Sequence, residues 1–265
     1  MKTEKERKKE LSFAIVGGGA TGVELVTEIA EFVNDTFIKY YHGLIKCSDI
    51  SISLINSGGE ILMPFHPSLR QSALEVLKKK KIKVMLNMVV KEVKKGSVIF
   101  NDDSNMEVNH IIWTAGVKPN VPVFTHPVPT DKGGRIIVNE SLQIPECPNV
   151  FVIGDMASFA DKDGKPLPML AQVAVRQGFH IGGNIKRLFS GKKPLPFSFK
   201  SQGSLVSLGQ WHAIANIKGI KFSGPVAWFL WRTIYLFKFL SGSKRVKIVV
   251  DWTMNIFYPR DITKA

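Results

Sequence analysis

The sequence has few of the residues on which several protein classes depend. It contains only two cysteines, Cys47 and Cys147, which stand 100 residues apart and form no CxxC motif. This argues against a disulfide framework and against a dithiol redox centre, and we expect both cysteines to be small buried side chains. The first ten residues lack the apolar core of a secretory signal. Because no stretch offers about 18 uncharged apolar residues in a row, we expect no membrane-spanning helix.

Acidic residues are also scarce. The 22 Asp and Glu residues are outnumbered by 36 Lys and Arg residues, which gives a formal net charge of +14. A chain this basic favours an anionic partner, which could be a nucleic acid, phospholipid headgroups or a phosphorylated small molecule. With 265 residues and 45% hydrophobic content, the chain is long enough for one or two globular domains.

The clearest motif is a glycine-rich turn between a strand and a helix. The apolar run 12–16 predicts a buried strand, and the apolar spacing over 22–33 predicts a one-faced helix. Between them, GGGATG fits the GxGxxG pattern, which needs glycine for a tight turn, for close approach of a pyrophosphate and for packing of the helix on the strand. The N–H groups at the helix N-terminus attract phosphate. The candidate dinucleotide ligands are Gly17, Gly18, Gly19 and Gly22.

The candidate ribose ligand is Asn56, at the tip of the second predicted strand. An acidic residue usually occupies this place about 20 residues after the last glycine, whereas Asn56 lies 34 residues after Gly22. The aromatic segment 34–49 would account for the extra length by extending or capping the first helix. Because asparagine does not repel a 2′-phosphate, the choice between NADH and NADPH stays open.

Two acidic residues follow the turn on one face of the predicted helix. Glu24 and Glu28 lie one turn apart, and such a like-charge pair costs an isolated helix about 0.2 to 0.5 kcal/mol. The positive end of the helix dipole also stabilises the negative charge of Glu24. Two interpretations are open: both are solvated surface acids, or Glu24 has a catalytic role.

The order of the predicted elements indicates an α/β fold with parallel sheets. Short strand-like pieces between residues 82 and 100 predict a small antiparallel insertion. Pro, Gly and Asn accumulate over 119–148, and after residue 196 the composition becomes aromatic and basic. These changes predict three regions, residues 1–110, 111–200 and 201–265.

Four motifs in a fixed order carry a family resemblance: GGGATGVELVTEIAE, IWTAGVKPN, NVFVIGDMA and PMLAQVAVRQG. From about Phe13 to the C-terminus, the sequence resembles the flavin-dependent type II NADH:quinone oxidoreductases. The resemblance implies two nested dinucleotide-binding units, with the nicotinamide unit inserted into the flavin unit. It assigns 1–110 to an NAD(P)-binding domain, 111–200 to the C-terminal part of an FAD-binding domain, and 201–265 to a region with amphipathic membrane-associated helices.

The resemblance also implies the residues that hold FAD. They are Gly116, which follows a predicted strand, and the pair Gly154 and Asp155 at the end of another. A carboxylate such as that of Asp155 can accept a hydrogen bond from a ribityl hydroxyl group. Without the resemblance, Gly154 and Asp155 would be read as an ordinary turn.

The expected catalytic residues are Glu24, Gln172 and Gln177. By resemblance, the segment that carries the two glutamines borders the flavin and the quinone path. Proton transfer by Glu24 is a hypothesis. Arg176 departs from the family pattern, because many relatives carry glutamine there. Either its guanidinium group stabilises the anionic reduced flavin, or it forms a surface ion pair.

The resemblance is incomplete in one respect. No second GxGxxG motif occurs in the sequence, although the family carries one for the adenosine half of FAD. The expectation is therefore a C-terminal fragment, a split product that needs a partner chain, or a sequence read from an internal methionine. FAD binding would then require the missing N-terminal FAD-binding half, and a homodimer is a further option.

The C-terminal region is basic and aromatic. From Lys200 onward it contains ten Lys and Arg residues and two Asp residues. Arg232 lies within the apolar stretch Phe222 to Leu240 and would cost about 2.5 to 3.5 kcal/mol in a spanning helix, which favours an interfacial helix. The stretch Val246 to Tyr258 is also amphipathic. An anionic membrane surface is the expected partner, a buried helical pair is the alternative, and no nucleic acid is expected because no nucleic-acid motif is present.

The expected function is hydride transfer from NADH, or NADPH, to FAD, followed by electron transfer to a membrane quinone without proton pumping or a metal. The expected location is peripheral, on the cytoplasmic face of a bacterial membrane or on an organelle inner membrane. One alternative is a related flavoprotein reductase with another acceptor. The other is a catalytically silent or partner-dependent NAD(P)-binding fragment that associates with a membrane.

Overall fold

The chain divides into two compact units in the computed structural model, which describes residues 3–161, 164–238 and 241–257. Unit 1 comprises Met1–Ala115 and Gln202–Ala265, and unit 2 comprises Gly116–Ser201. The predicted region 1–110 thus shares a unit with all of the predicted region 201–265 except Ser201.

The N-terminal part of unit 1 alternates strands and helices. Its elements are α1 (Glu4–Glu10), β1 (Ser12–Val16), α2 (Ala20–Glu31), a π-helical turn (Phe32–Phe37), α3 (Ile38–Tyr40), a 3-10 turn (Cys47–Asp49), β2 (Ser51–Ile55), α4 (Pro67–Lys79), β3 (Lys83–Met85), β4 (Val90–Lys94), β5 (Ser97–Phe100), β6 (Asn105–Glu107) and β7 (His110–Trp113).

A four-stranded parallel sheet organises this part of the chain. Its strand order is β3-β2-β1-β7, and Phe13 of β1 pairs with Ile52 on one side and with His110 on the other. Ala14 and Ile15 of β1 are fully buried, as a central parallel strand covered on both faces requires. The predicted α/β class is confirmed. An antiparallel insertion is present and consists of β4, β5 and β6. The prediction is wrong for its first piece, because β3 pairs in parallel with β2 in the main sheet.

Helix α2 packs on this sheet through one apolar face. Val23, Val26 and Ala30 are buried against Leu54 of β2. This face accounts for the helical spacing of apolar residues in the sequence. The chain stays helical beyond α2 through the π-helical turn and α3. The prediction that the extra segment extends the first helix is therefore confirmed as far as Tyr40.

Unit 2 is smaller and has shorter strands. Its core includes Ile136, Leu142, Ile144 and Ile181. Strand β8 pairs in parallel with β11, and β9 pairs antiparallel with β10. Its elements are β8 (Ile136–Ile137), β9 (Gln143–Ile144), β10 (Cys147–Phe151), a 3-10 turn (Gly154–Met156), β11 (Ala157–Ser158) and α5 (Ala171–Phe189).

The residues before Gly154 differ from the prediction that Gly154 and Asp155 stand at the end of a strand. Strand β10 ends at Phe151 and is largely exposed, and Val152 is buried just beyond its end. The cysteines differ from expectation as well, because Cys47 and Cys147 are both exposed free thiols. The expectation that they are buried is wrong.

The C-terminal segment of unit 1 packs on the N-terminal α/β part of the same unit. Val206 and Ile214 belong to the same core as Val23 of α2, while Trp228 packs on Ala213 and Ala215. The segment consists of β12 (Ser204–Ser207), β13 (Ala213–Ile217), β14 (Ile220–Gly224), α6 (Pro225–Lys238) and α7 (Gly242–Phe257).

Most of the two predicted amphipathic stretches corresponds to α6 and α7, but the start of the first stretch, at Phe222, belongs to β14. Their predicted last residues, Leu240 and Tyr258, lie outside the described residues. Within the described ranges, no helix combines the length and the apolar content needed to cross a bilayer.

Candidate functional site

The turn between β1 and α2 requires glycine at its first and last positions. Gly17 has φ +122°, and a Cβ atom there would lie 2.6 Å from Oγ1 of Thr114. A Cβ atom on Gly22 would overlap the carbonyl oxygen of Gly17. These two glycines let the start of the helix pack closely on the strand, so they serve the fold of the turn itself.

Gly19 faces open space instead. A Cβ atom at this position would have no heavy atom within 4 Å among the described residues. Gly19 is the N-cap of α2, and no side chain there accepts a hydrogen bond from the first turn of the helix. The free N–H groups and the helix dipole form a cradle for an anion, and the open space leaves room for it. The residues present therefore fit the pyrophosphate of a dinucleotide.

Asn56 holds the turn from behind. Its Oδ1 accepts a hydrogen bond from the Gly18 N–H at 3.0 Å, and its Nδ2 donates to the carbonyl oxygens of Gly58 at 3.1 Å and Glu60 at 2.9 Å. An ionised carboxylate could not make the two donor bonds. This explains asparagine at a position where an acid is usual. The contact of Asn56 with ribose stays a prediction.

Thr114 supports the same turn, and the sequence analysis did not identify it as a site residue. It follows β7, and its Oγ1 donates a hydrogen bond to the carbonyl oxygen of Val16 at 2.9 Å. The hydroxyl group lies against both Gly17 and Gly22. The available signal was the position of Thr114 at the end of a strand next to β1. Gly116, two residues on, has φ +75°, and its proposed contact with FAD stays a prediction.

Glu24 is held by the C-terminal segment of unit 1. Its Oε1 accepts a hydrogen bond from the Ser207 N–H at 2.9 Å. Burial raises the pKa of Glu24 above its usual value, and the Ser207 N–H and the indole of Trp231 act in the opposite direction. The interpretation of Glu24 as a solvated surface acid is therefore wrong. Its catalytic role stays a prediction.

Gln177 in unit 2 also accepts a hydrogen bond from a backbone N–H, as Glu24 does in unit 1. Its side chain is 1% exposed, and its Oε1 accepts a hydrogen bond from the Gly154 N–H at 2.7 Å. Gly154 has φ +67°, and the turn that it begins presents Asp155 to solvent. The side-chain amide oxygen of Gln177 thus contacts the turn that carries the candidate flavin ligand, Asp155.

Gln172 and Arg176 lie one turn apart on the same face of α5, and both are half-buried. The guanidinium carbon of Arg176 lies 5.8 Å from the centroid of the Phe199 ring, a cation–π distance. The described part of the chain contains no carboxylate paired with Arg176. The surface ion pair, one of the two interpretations of this residue, is thus not observed.

Comparison with known proteins identifies the family. Residues 2–178 match the family model described as pyridine nucleotide-disulphide oxidoreductase. The chain belongs to this family. Residues 201–261 of this member match the NDH2 C-terminal domain. These 265 residues contain no CxxC motif.

Relatives confirm the resemblance to type II NADH:quinone oxidoreductases. The chain is 33% identical over 280 residues to the internal alternative NAD(P)H-ubiquinone oxidoreductase A1, mitochondrial, of Arabidopsis thaliana, covering 98% of this chain and 54% of the relative. It is 29% identical over 266 residues to the type II NADH:quinone oxidoreductase Ndh of Mycobacterium tuberculosis, covering 96% and 56%. The chain of this family member therefore spans about half the length of these curated relatives.

A solved structure shows the same fold. The structure of NDH2 from Plasmodium falciparum in complex with NADH superposes with a TM-score of 0.90 at 20% identity, covering 99% of this chain and 69% of that one. The nested α/β architecture implied by the motifs is consistent with this match.

Gly19 and Gly22 give a matched test of the cradle. We expect Gly19→Ala to fold as the wild type but to bind NADH at least about tenfold more weakly, because the added methyl group enters the space left for the pyrophosphate. We expect Gly22→Ala to lower the melting temperature, because its Cβ overlaps the Gly17 carbonyl oxygen. Titration calorimetry and thermal unfolding measure the two effects. Wild-type affinity in Gly19→Ala would show that the cradle does not bind the nucleotide.

The Gln177 contact predicts a stability difference within α5. Gln177→Leu leaves the Gly154 N–H without its acceptor and should lower the free energy of unfolding by about 1 to 3 kcal/mol. Gln172→Leu, on a half-buried position of the same helix, is the control and should change it little. Denaturant unfolding followed by circular dichroism measures stability, and hydrogen exchange at the Gly154 amide locates the change. Equal effects of the two variants would contradict the assignment.

Proposed function

We propose that this chain takes part in electron transfer from NADH through FAD to a membrane quinone, without proton pumping. The observation that carries the proposal is the open, uncapped N-terminus of α2 at Gly19, which suits a dinucleotide pyrophosphate. The printed names of the relatives, which describe NAD(P)H-ubiquinone and NADH:quinone oxidoreductases, support the choice of donor and acceptor.

In this proposal the nicotinamide dinucleotide lies across the turn of unit 1. The N–H groups at the start of α2 bind the pyrophosphate, and Asn56 and Thr114 fix the turn behind it. NADH is the proposed donor. NADPH remains compatible, because the neutral Asn56 does not repel a 2′-phosphate.

FAD is the proposed electron carrier, and its partial site lies in unit 2. The exposed carboxylate of Asp155 is free to accept a hydroxyl hydrogen bond, and Gln177 fixes the turn through Gly154. The bound flavin supplies the hydride-accepting and electron-donating chemistry. Gln172 and Arg176 are proposed to face the reacting groups, with Arg176 stabilising negative charge on the reduced flavin.

The glycine turn for the adenosine half of FAD is proposed to come from outside these 265 residues, on the same polypeptide or on a partner. An exposed apolar ridge on α5, which includes Val175 and Phe179, supports a protein partner for unit 2. That partner is the FAD-binding half in this proposal, and a homodimer is the alternative.

Glu24 is the proposed proton-transfer group. Its burial raises the pKa of the carboxyl group and so brings its protonation closer to neutral pH, as a general acid or base requires. Glu75 is an exposed acid on α4 whose Oε1 accepts a hydrogen bond from Nε2 of Gln71, and it offers a control for the charge change.

The activity test uses the chain assembled with its FAD. We expect quinone-dependent oxidation of NADH, strongly reduced by Gly19→Ala and lowered in kcat by about 100-fold in Glu24→Gln, since proton transfer by a positioned side chain contributes at least this much. Glu75→Gln should behave as the wild type. Full turnover in Glu24→Gln would exclude proton transfer by Glu24. Binding of NADH without any quinone reduction would favour the silent NAD(P)-binding alternative.

Peripheral membrane attachment is proposed for α6 and α7. Val226 and Val250 are exposed apolar side chains on these helices. Cation–π contacts stabilise the positive charge of Arg232 within the apolar stretch. Its guanidinium carbon lies 4.0 Å from the Trp228 ring centroid and 4.5 Å from that of Trp252. The helices thus keep an apolar outer surface beside many lysines, which suits anionic headgroups. The membrane is proposed to be the cytoplasmic face of a bacterial membrane or an organelle inner membrane.

Vesicle flotation tests the attachment. The double variant Val226→Glu with Val250→Glu should lower partitioning onto phosphatidylglycerol vesicles by at least about tenfold, because it removes apolar contact and adds repelled charge. A control with the same added charge, Val93→Glu with Val123→Glu, alters exposed valines elsewhere and should float as the wild type. Equal flotation of both double variants would contradict attachment through these helices.

A further inference from the structure

Helix α2 holds the C-terminal segment with two carboxylates on one face. Glu24 and Glu31 are two helical turns apart, so their side chains project from the same side of the helix. Glu24 accepts the Ser207 N–H at 2.9 Å, and Glu31 accepts the Gln210 N–H at 2.6 Å. The two carboxylates therefore bind the last residue of β12 and the middle of the loop that leads to β13.

Glu31 joins three parts of unit 1. Its side chain is 14% exposed, and its Oε1 also lies 2.5 Å from Nζ of Lys80, the residue that ends α4. Gly209 has φ +91°, and a Cβ atom there would overlap the Glu31 carboxylate. The loop thus fits the carboxylate closely through its backbone. Hydrogen bonds to a carboxylate are charge-assisted and belong to the stronger class of hydrogen bond.

The same helix forms the proposed nucleotide cradle. Glu24 lies in the second turn after the N-cap Gly19, and Glu31 is the last residue of α2. Val206 and Leu208 of the C-terminal segment share a hydrophobic core with Val23. One rigid helix therefore connects the cradle at its N-terminus with the loop contacts along its side.

We propose that Glu31, together with Glu24, couples nucleotide binding to docking of the C-terminal segment. A dinucleotide that orders the start of α2 strengthens the contacts with the loop, and by linkage the docked loop increases nucleotide affinity by the same factor. Glu31 is a positioning residue, because it acts through the loop and the helix. The coupling rests on the proposed binding of a dinucleotide at Gly17–Gly22. Because of this coupling, the docking of the segment that carries α6 and α7 depends on whether the nucleotide is bound.

Hydrogen exchange of the full chain reads this coupling at single amides. Saturating NADH should slow exchange of the Ser207 and Gln210 amides by about fivefold or more. The Leu208 amide is an internal control, because it donates to the His212 carbonyl oxygen within the same loop at 2.9 Å and reports opening of the loop itself. The Phe100 amide, bonded to the Ser104 carbonyl oxygen, is a remote control. Both control amides should change less than about twofold.

The outcomes separate the two proposals. If calorimetry shows no NADH binding, the proposed nucleotide function fails, and the coupling fails with it. If NADH binds and the Ser207 and Gln210 amides exchange at unchanged rates, the coupling alone is overturned. Equal slowing of all four amides would indicate a general stabilisation and would also overturn it.

Variants at Glu31 test which side chain carries the coupling. Glu31→Ala should raise the Kd for NADH about fivefold and abolish the NADH-dependent slowing at Ser207. Glu31→Gln keeps an acceptor for the Gln210 N–H. Its Kd for NADH and its NADH-dependent slowing at Ser207 should both lie between those of Glu31→Ala and the wild type. Glu75→Ala, on the exposed face of α4, should match the wild type. Full NADH-dependent slowing at Ser207 in Glu31→Ala would overturn the role of Glu31.

A second pair of variants keeps the test valid if Glu31→Ala does not fold. Lys80→Met removes the cation beside Glu31, whereas Lys79→Met removes an exposed cation one residue earlier. Lys80→Met should weaken the NADH-dependent slowing at Gln210, and Lys79→Met should not. Identical behaviour of the two lysine variants would contradict the proposed coupling.

Discussion

The uncapped N-terminus of α2 is the constraint on which the structure of unit 1 depends. A Ser, Thr, Asp or Asn at the N-cap would stabilise a helix by about 1 kcal/mol relative to alanine, yet Gly19 provides no side chain to bind the first N–H groups. The side chains that hold the turn lie away from its solvent-facing side. Asn56 binds Gly18, and Thr114 lies against Gly17 and Gly22. The side facing solvent is left open for an anion, and the central position of β1 in the sheet fixes where that opening lies.

Local patterns in the sequence were sufficient for the elements around this turn and insufficient for the groups that support it. The strand, the glycine turn and the amphipathic helix are encoded over about 20 consecutive residues, so their periodicity could be read directly. The bond between Glu24 and Ser207 joins residues 183 apart in sequence, and the bond between Gln177 and Gly154 joins residues 23 apart. Neither pairing leaves a periodic signal. For the same reason sequence could not show that Asn56 is occupied by backbone groups on both sides of its amide.

The C-terminal segment shows why an apolar, basic stretch allowed two interpretations. Trp228 is 2% exposed against the β-strands, whereas the adjacent Phe229 is 54% exposed. Composition counts both residues as hydrophobic and does not reveal which face is covered. The two alternatives therefore concern opposite faces of α6. The covered face fits the buried helical pair, and the exposed face is the one that the proposed interfacial attachment would use. The position of Arg232 is compatible with both interpretations. Its guanidinium group contacts the indole rings of Trp228 and Trp252, so the charge does not need to lie on the exposed apolar face.

The environment of Glu24 links its chemistry to the position of the C-terminal segment. Burial raises the pKa of this carboxyl group more than the Ser207 N–H and the Trp231 indole lower it. All three influences depend on the packing of β12 and α6 against α2. Glu24 also raises the pKa of Tyr235 on α6, which adds to the effect of burial on that tyrosine. If the segment moved away, Glu24 would be rehydrated and its pKa would fall toward the value of an exposed glutamate. The proton affinity of Glu24 is therefore a property of the docked state of the segment, and a proton-transfer role and a docking role for Glu24 arise from one arrangement of the same groups.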